Sequence, residues 1–143
     1  MSGDAASVTN AAGGRIETSG ANAGAVVIGG DDASVRNGGA IITSGSAAHA
    51  IELDGSSGLV VDQGDLIVSR ANAYGVIAQG AENMIRTTTG SPIEVTDGLA
   101  GILVSGDRAE VELAGTIETT GSVHSASCRS AATRRSAWMR GPR

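Results

Sequence analysis

The chain of 143 residues contains no Phe and no Lys, and only one Tyr (Tyr74), one Trp (Trp138) and one Cys (Cys128). Without aromatic bulk, a core has to be assembled from Val, Ile, Leu and Ala, whose small and β-branched side chains suit stacked rows on a pleated surface. A helical bundle would need more Leu-type residues and far fewer than the 22 glycines present, because each glycine costs a helix interior about 1 kcal/mol relative to Ala. A lone cysteine excludes an intramolecular disulfide and a Cys-based zinc site. No apolar run approaches the ~20 residues of a membrane-spanning helix. The opening Met1-Ser2-Gly3-Asp4 has neither the basic nor the apolar region of an export signal. Acids are missing from one stretch: all fifteen Asp and Glu precede Gly121, whereas five of the ten arginines follow it. Residues 1–121 therefore carry a net −10 and residues 122–143 a net +5. An acidic body argues against non-specific nucleic-acid binding by residues 1–121.

What is present is a repeat. Gly30, Gly55, Gly80 and Gly106 fall 25, 25 and 26 residues apart, each two positions after Ile28, Leu53, Ala78 and Val104. A fixed period of this size marks one structural unit copied end to end. Within a unit there are three short apolar beats. Val8, Val35, Val60, Ile85 and Val111 make the first; Ile16, Ile41, Leu66, Ile93 and Ile117 the second; Val26, Ile51, Val76 and Ile102 the third. Alternation inside a beat, as in Ile51-Glu52-Leu53, has the period of a strand with one face inward. Three strands per 25 residues make one turn of a coil. The expectation is an all-β, three-sheet parallel β-helix (a solenoid) of roughly five coils over residues 1–121, with ladder spacing ~4.8 Å and a length of ~24 Å.

Glycine marks the corners, at Gly14, Gly39, Gly64 and Gly115 before the second beat and at Gly20, Gly45 and Gly121 after it. A tight corner needing φ > 0 would explain them. Asn10, Asn37 and Asp62 share another corner, where a side-chain oxygen can cap backbone amides. Pro92 cannot donate to a ladder and belongs at a strand start, with Thr87–Pro92 as a slightly enlarged loop. Counting on from Ile117 puts third-beat aliphatics at 127 and 129, where the chain has Ser127 and Arg129. Residues 122–143 thus read as an irregular, Arg-rich C-terminal tail rather than another coil.

The phrases Gly14-Arg15-Ile16-Glu17-Thr18-Ser19-Gly20, Gly39-Ala40-Ile41-Ile42-Thr43-Ser44-Gly45 and Gly115-Thr116-Ile117-Glu118-Thr119-Thr120-Gly121, the second followed by Ala48-His49-Ala50-Ile51, look like passenger repeats of bacterial autotransporters. Pertactin-type adhesins are the nearest named relatives. The resemblance covers about residues 3–121 and implies a right-handed parallel β-helix displayed outside a Gram-negative cell, with a host or cell-surface protein or glycan as partner. The amphipathic barrel strands through which such passengers are exported are not in this sequence, so the resemblance is to a passenger fragment. A frameshift near Gly121 or a native basic tail would each account for the change in composition there.

Chemistry is sparse. Glu17, Glu94 and Glu118 fall on the outward side of the second sheet, with Asp62 and Asp65 at a nearby corner, and a β-helical lyase or hydrolase would draw its acids from such a set. No pair is singled out for acid–base work, so no catalytic residue is assigned and a solvated acidic face is the plainer reading. His49 occupies the slot held elsewhere by Gly24, Tyr74 and Ala100 and points outward; with His124 in the tail it forms no metal cluster. Gly29-Gly30-Asp31-Asp32 resembles a calcium-binding β-roll phrase but lacks the nine-residue recurrence. No nucleophile elbow, phosphate loop or dinucleotide fingerprint occurs, so no cofactor and no metal are expected. The outward positions of the third sheet, Val27, Glu52, Ile77 and Leu103, form a candidate partner surface, or a strip packed under a loop or neighbouring domain. Arg134, Arg135 and Arg140 around Trp138 would suit nucleic acid or anionic lipid, or constitute an unselected tail.

Overall fold

The computed structural model describes residues 2–121 and the backbone of 128–129. Every regular element among them is a strand. In chain order these are β1 (Ser7–Asn10), β2 (Arg15–Thr18), β3 (Val26–Gly29), β4 (Ser34–Asn37), β5 (Ala40–Thr43), β6 (Ile51–Asp54), β7 (Leu59–Asp62), β8 (Asp65–Ser69), β9 (Tyr74–Gln79), β10 (Met84–Thr87), β11 (Pro92–Thr96), β12 (Ala100–Ser105), β13 (Glu110–Leu113), β14 (Thr116–Thr120) and β15 (Cys128–Arg129). They form three parallel five-stranded sheets, ordered β1-β4-β7-β10-β13, β2-β5-β8-β11-β14 and β3-β6-β9-β12-β15. Each sheet takes one strand from every coil. The chain is a five-coil, three-sheet parallel β-solenoid.

The registers join the residues of each beat. Val8 pairs with Val35, Val35 with Val60, Val60 with Ile85 and Ile85 with Val111. Ile16, Ile41, Leu66, Ile93 and Ile117 form the second row, and Val26, Ile51, Val76 and Ile102 the third. Val35, Ile41, Ile51, Val60, Leu66, Val76, Ile85, Ile93 and Ile102 are at most 1% exposed. The core is therefore a column of aliphatic ladders, each side chain resting on its counterpart one coil below, and aromatic rings are dispensable to it. Pro92 opens β11, where its missing N–H costs no ladder bond. The corner before it, Thr88–Ser91, has four residues, like Ala11–Gly14 in the first coil, whereas the corners at 38–39, 63–64 and 114–115 have two.

Two expectations are corrected. Of the corner glycines named above, only Gly121 has positive φ (130°). At Gly39, Gly45, Gly64 and Gly115 the constraint is proximity. A Cβ there would collide with the carbonyl oxygen of Gly14, Gly20, Gly39 and Ser91 respectively, each on the coil below. Left-handed backbone falls instead at the other corners and mostly on residues with side chains: Ala5, Asn22, Asp32, Ala47, Ser57, Asn72, Glu82, Asp97 and Arg108 lie at φ between 52° and 62°. Secondly, one strand of the third sheet lies beyond Gly121, within the span read as an irregular tail. β15 pairs with β12, setting Cys128 opposite Ile102 and Arg129 opposite Leu103. Counting by the repeat missed this strand because backbone pairing does not require an aliphatic side chain. The remaining residues of 122–143, with His124, Arg134, Arg135, Trp138 and Arg140, lie outside the described residues.

Candidate functional site

Among the described residues, the aromatic rings, His49 and Tyr74, lie together at the third sheet. Along it, β3, β6, β9 and β12 bring Val27, Glu52, Ile77 and Leu103 into one row. Val27 is 41% exposed but Ile77 only 7%, so the row offers less open apolar surface than its sequence alone suggests. At the sheet's entrance the slot of Gly24, His49, Tyr74 and Ala100 forms a second column. There His49 and Tyr74, one coil apart, stack with ring centroids 5.3 Å apart and planes inclined by 46°. The Tyr74 backbone N–H donates to His49 Nδ1 at 3.1 Å. This bond replaces the carbonyl acceptor that a regular ladder would supply, and it fixes the imidazole with Nδ1 unprotonated and the proton on Nε2. Burial pulls the His49 pKa below its usual 6.5, and the Glu52 carboxylate opposes that pull. The ring is therefore neutral at pH 7.

Of the acidic residues named above, only Glu94 and Glu118 are brought side by side, as register partners on β11 and β14. The outward row of the second sheet reads Glu17, Ile42, Ile67, Glu94, Glu118, so two half-buried isoleucines part Glu17 from the others. Glu17 accepts from Arg15. Asp65 is exposed, but Asp62 is fully buried and turned into the coil wall, where it cannot meet a substrate. It ends a ladder of amides: Asn10 Nδ2 donates to Asn37 Oδ1 at 2.9 Å, and Asn37 Nδ2 donates to Asp62 Oδ1 at 2.8 Å. The capping expected of this corner is present, because Asn37 Oδ1 and Asp62 Oδ1 also accept from the N–H groups of Gly39 and Gly64. Asp62 has no N–H to hand on, and its Oδ2 is buried without a partner. Burial drives its pKa from 3.8 up to about 6, against the lowering effect of the Asn37 and Gly64 hydrogen bonds.

Asp31, in the β-roll-like phrase, accepts the Ser56 N–H one coil up at 2.8 Å, which is a structural cap. Among the described residues, no group of three or more His, Cys, Asp or Glu side chains is placed to hold a metal ion. A concavity of about 460 Å³ at the corner between the first two sheets has a floor of glycine backbone and walls that include Arg15, Gln63 and Asp65. No helix among the described residues is long and apolar enough to cross a membrane.

The slot that His49 and Tyr74 share in the sequence puts them one 25-residue period apart, and the structure adds the contact between their rings. In a parallel solenoid, residues one period apart are neighbours in space. The same rule joins Arg86 to Glu112 and Arg108 to Glu82, each ion-paired across one coil.

Fold and surface together define a repeat protein of the parallel β-solenoid class, with the His49–Tyr74 pair beside its third sheet. Comparison with family models, curated proteins and solved structures returns no match to this chain.

Proposed function

We propose that this chain is a passenger-type fragment of a bacterial autotransporter, acting as a non-enzymatic surface or adhesion module in which the rod gives reach and one outer face binds. The observation that carries this reading is the placement of the passenger-like phrases. All three occupy equivalent corners and second-sheet strands, with β2, β5 and β14 running in one ladder. The recognition face is the outer side of the third sheet, with Val27, Glu52, Ile77 and Leu103 beside His49 and Tyr74. Export to a cell surface belongs to the same proposal.

The competing reading is a β-helical carbohydrate-active enzyme. One of its two corner carboxylates, Asp62, is sealed from solvent, which favours binding over turnover. Incubating the chain with a panel of neutral and acidic polysaccharides separates the two. An adhesion module releases no new reducing ends and no unsaturated products, and release of either that disappears in Asp65→Ala would overturn the proposal. The passenger assignment is tested by translating the coding DNA around Gly121 in all frames. A frame that continues the 25-residue repeat toward barrel strands is the expected outcome, and its absence in every frame counts against it.

A further inference from the structure

We infer that His49, Tyr74 and Glu52 form a subsite for a neutral sugar residue of a glycan. This deepens the adhesion reading and rests on its choice of face. The argument begins with scarcity. A chain with no Phe and one Tyr has no need of aromatic rings in its core, which is complete in aliphatic ladders. Its one Tyr and a His nevertheless meet outside that core, each half-buried. The column around them has small neighbours, Gly24 below His49 and Ala100 above Tyr74, and neither carries a side chain large enough to overlie the rings.

The chemistry of the patch is that of a hydroxyl-rich ligand. An aromatic ring offers rigid apolar area at low entropic cost and receives the C–H face of a pyranose. The His49 tautomer is fixed by the Tyr74 N–H bond, which leaves Nε2–H as a donor of set direction. Glu52 lies close enough to His49 to act on it electrostatically and supplies two acceptor oxygens for neighbouring hydroxyls. A few convergent polar groups beside an apolar surface are what a small-ligand site requires.

Two further observations choose among ligands. A stable protein interface covers about 800 Å² on each partner around an apolar centre, and here the central Ile77 is already 7% exposed, leaving little apolar area to bury. An anionic ligand is disfavoured by the Glu52 charge, by a neutral His49 and by the −10 carried on residues 1–121.

The test is saturation-transfer NMR and calorimetric titration of the full chain with lactose, maltotetraose, cellotetraose and chitotetraose, with heparin and polygalacturonate as anionic probes. At least one neutral oligosaccharide should bind with Kd near ~1 mM. Tyr74→Ala and Glu52→Gln should each weaken it at least about tenfold with an unchanged circular dichroism spectrum, while Tyr74→Phe retains binding and Glu94→Gln on the second sheet has no effect. If Tyr74→Ala fails to fold, Glu52→Gln and ligand-induced shifts of the His49 and Tyr74 ring resonances decide. The inference is overturned if no neutral sugar binds at ~10 mM, if only the anionic probes bind, or if Glu52→Gln binds as wild type. A protein ligand lost in Glu52→Gln, with no sugar bound, overturns it equally. Cleavage of a bound sugar would end the non-enzymatic reading and leave the subsite standing.

Discussion

Asp62 is a carboxylate in an amide's position, and its cost should be visible in the pH dependence of stability. Its pKa is 3.8 when unperturbed and about 6 in the folded rod, so between those values the folded state holds a proton that the unfolded chain has released. Stability from this group is complete below pH 3.8, falls as pH rises toward 6 and stays low above it. A rise of about two units corresponds to about 3 kcal/mol. Asp62→Asn extends the amide ladder of Asn10 and Asn37 by one step and should raise stability at pH 7.5 by roughly 2–3 kcal/mol, with little change at pH 4. Urea unfolding of both proteins at the two pH values checks this, and a pH-independent difference would refute it. Because His49 contributes equally to both, the difference between them isolates Asp62. Thr43 poses a related case. It faces inward at 0% exposure with its Oγ1 unpartnered, in register with Val68. Thr43→Val should stabilise by about 1–2 kcal/mol, read as a higher urea midpoint at unchanged slope.

At the scale of the strand and corner, the glycines separate into those that the coil spacing demands and those it does not. A Cβ on Gly39 would drive into the Gly14 carbonyl, whereas one on Gly29 meets nothing within 4 Å. Gly39→Ala should therefore cost more than about 2 kcal/mol, and Gly29→Ala should be neutral or gain up to about 1 kcal/mol through the unfolded chain. Thermal unfolding of the two variants gives the comparison, and equal losses would mean that spacing is not the constraint. These corners also show what could be read before the structure was known. The three ladders were legible residue by residue because a period of 25 and the alternation within Ile51-Glu52-Leu53 both follow from one-sided burial. The reason for Gly39 and Gly64 was not legible, because glycine answers equally to positive φ and to close backbone approach, and the distance between coils decides. Nor was the left-handed backbone at Ala47 or Glu82, residues with no preference for it. The shared slot of His49 and Tyr74 was legible in the period, whereas the ring contact and the hydrogen bond that fixes the tautomer need atomic positions.

For the whole molecule, the consequence of parallel ladders lies at the ends. β1, β2 and β3 are the outermost strands of their sheets, and the first-coil residues Val8 and Ile16 are only partly buried where their counterparts Val60 and Leu66 are fully buried. The first coil thus presents the edges of the first two sheets, at β1 and β2, beside a partly open apolar centre, the combination that templates association of strand edges, whereas Ser2 bridges β3 at Gly29 and the Gly3 N–H donates to the Gly29 carbonyl. One coil up the rod, at Val35 and Ile41, the same rows are already sealed, so the tendency belongs to the end and not to the repeat. The isolated chain should self-associate as its concentration rises from ~1 to ~100 μM, and Ile16→Lys, which sets a charge inward at that edge, should keep it monomeric without loss of β-structure. Sedimentation velocity on both proteins, with circular dichroism alongside, measures this. Association that persists in Ile16→Lys would move the contact away from the first coil. A wild type that stays monomeric throughout would mean that the edge is already covered in solution, and a helix-dominated spectrum would remove the solenoid itself.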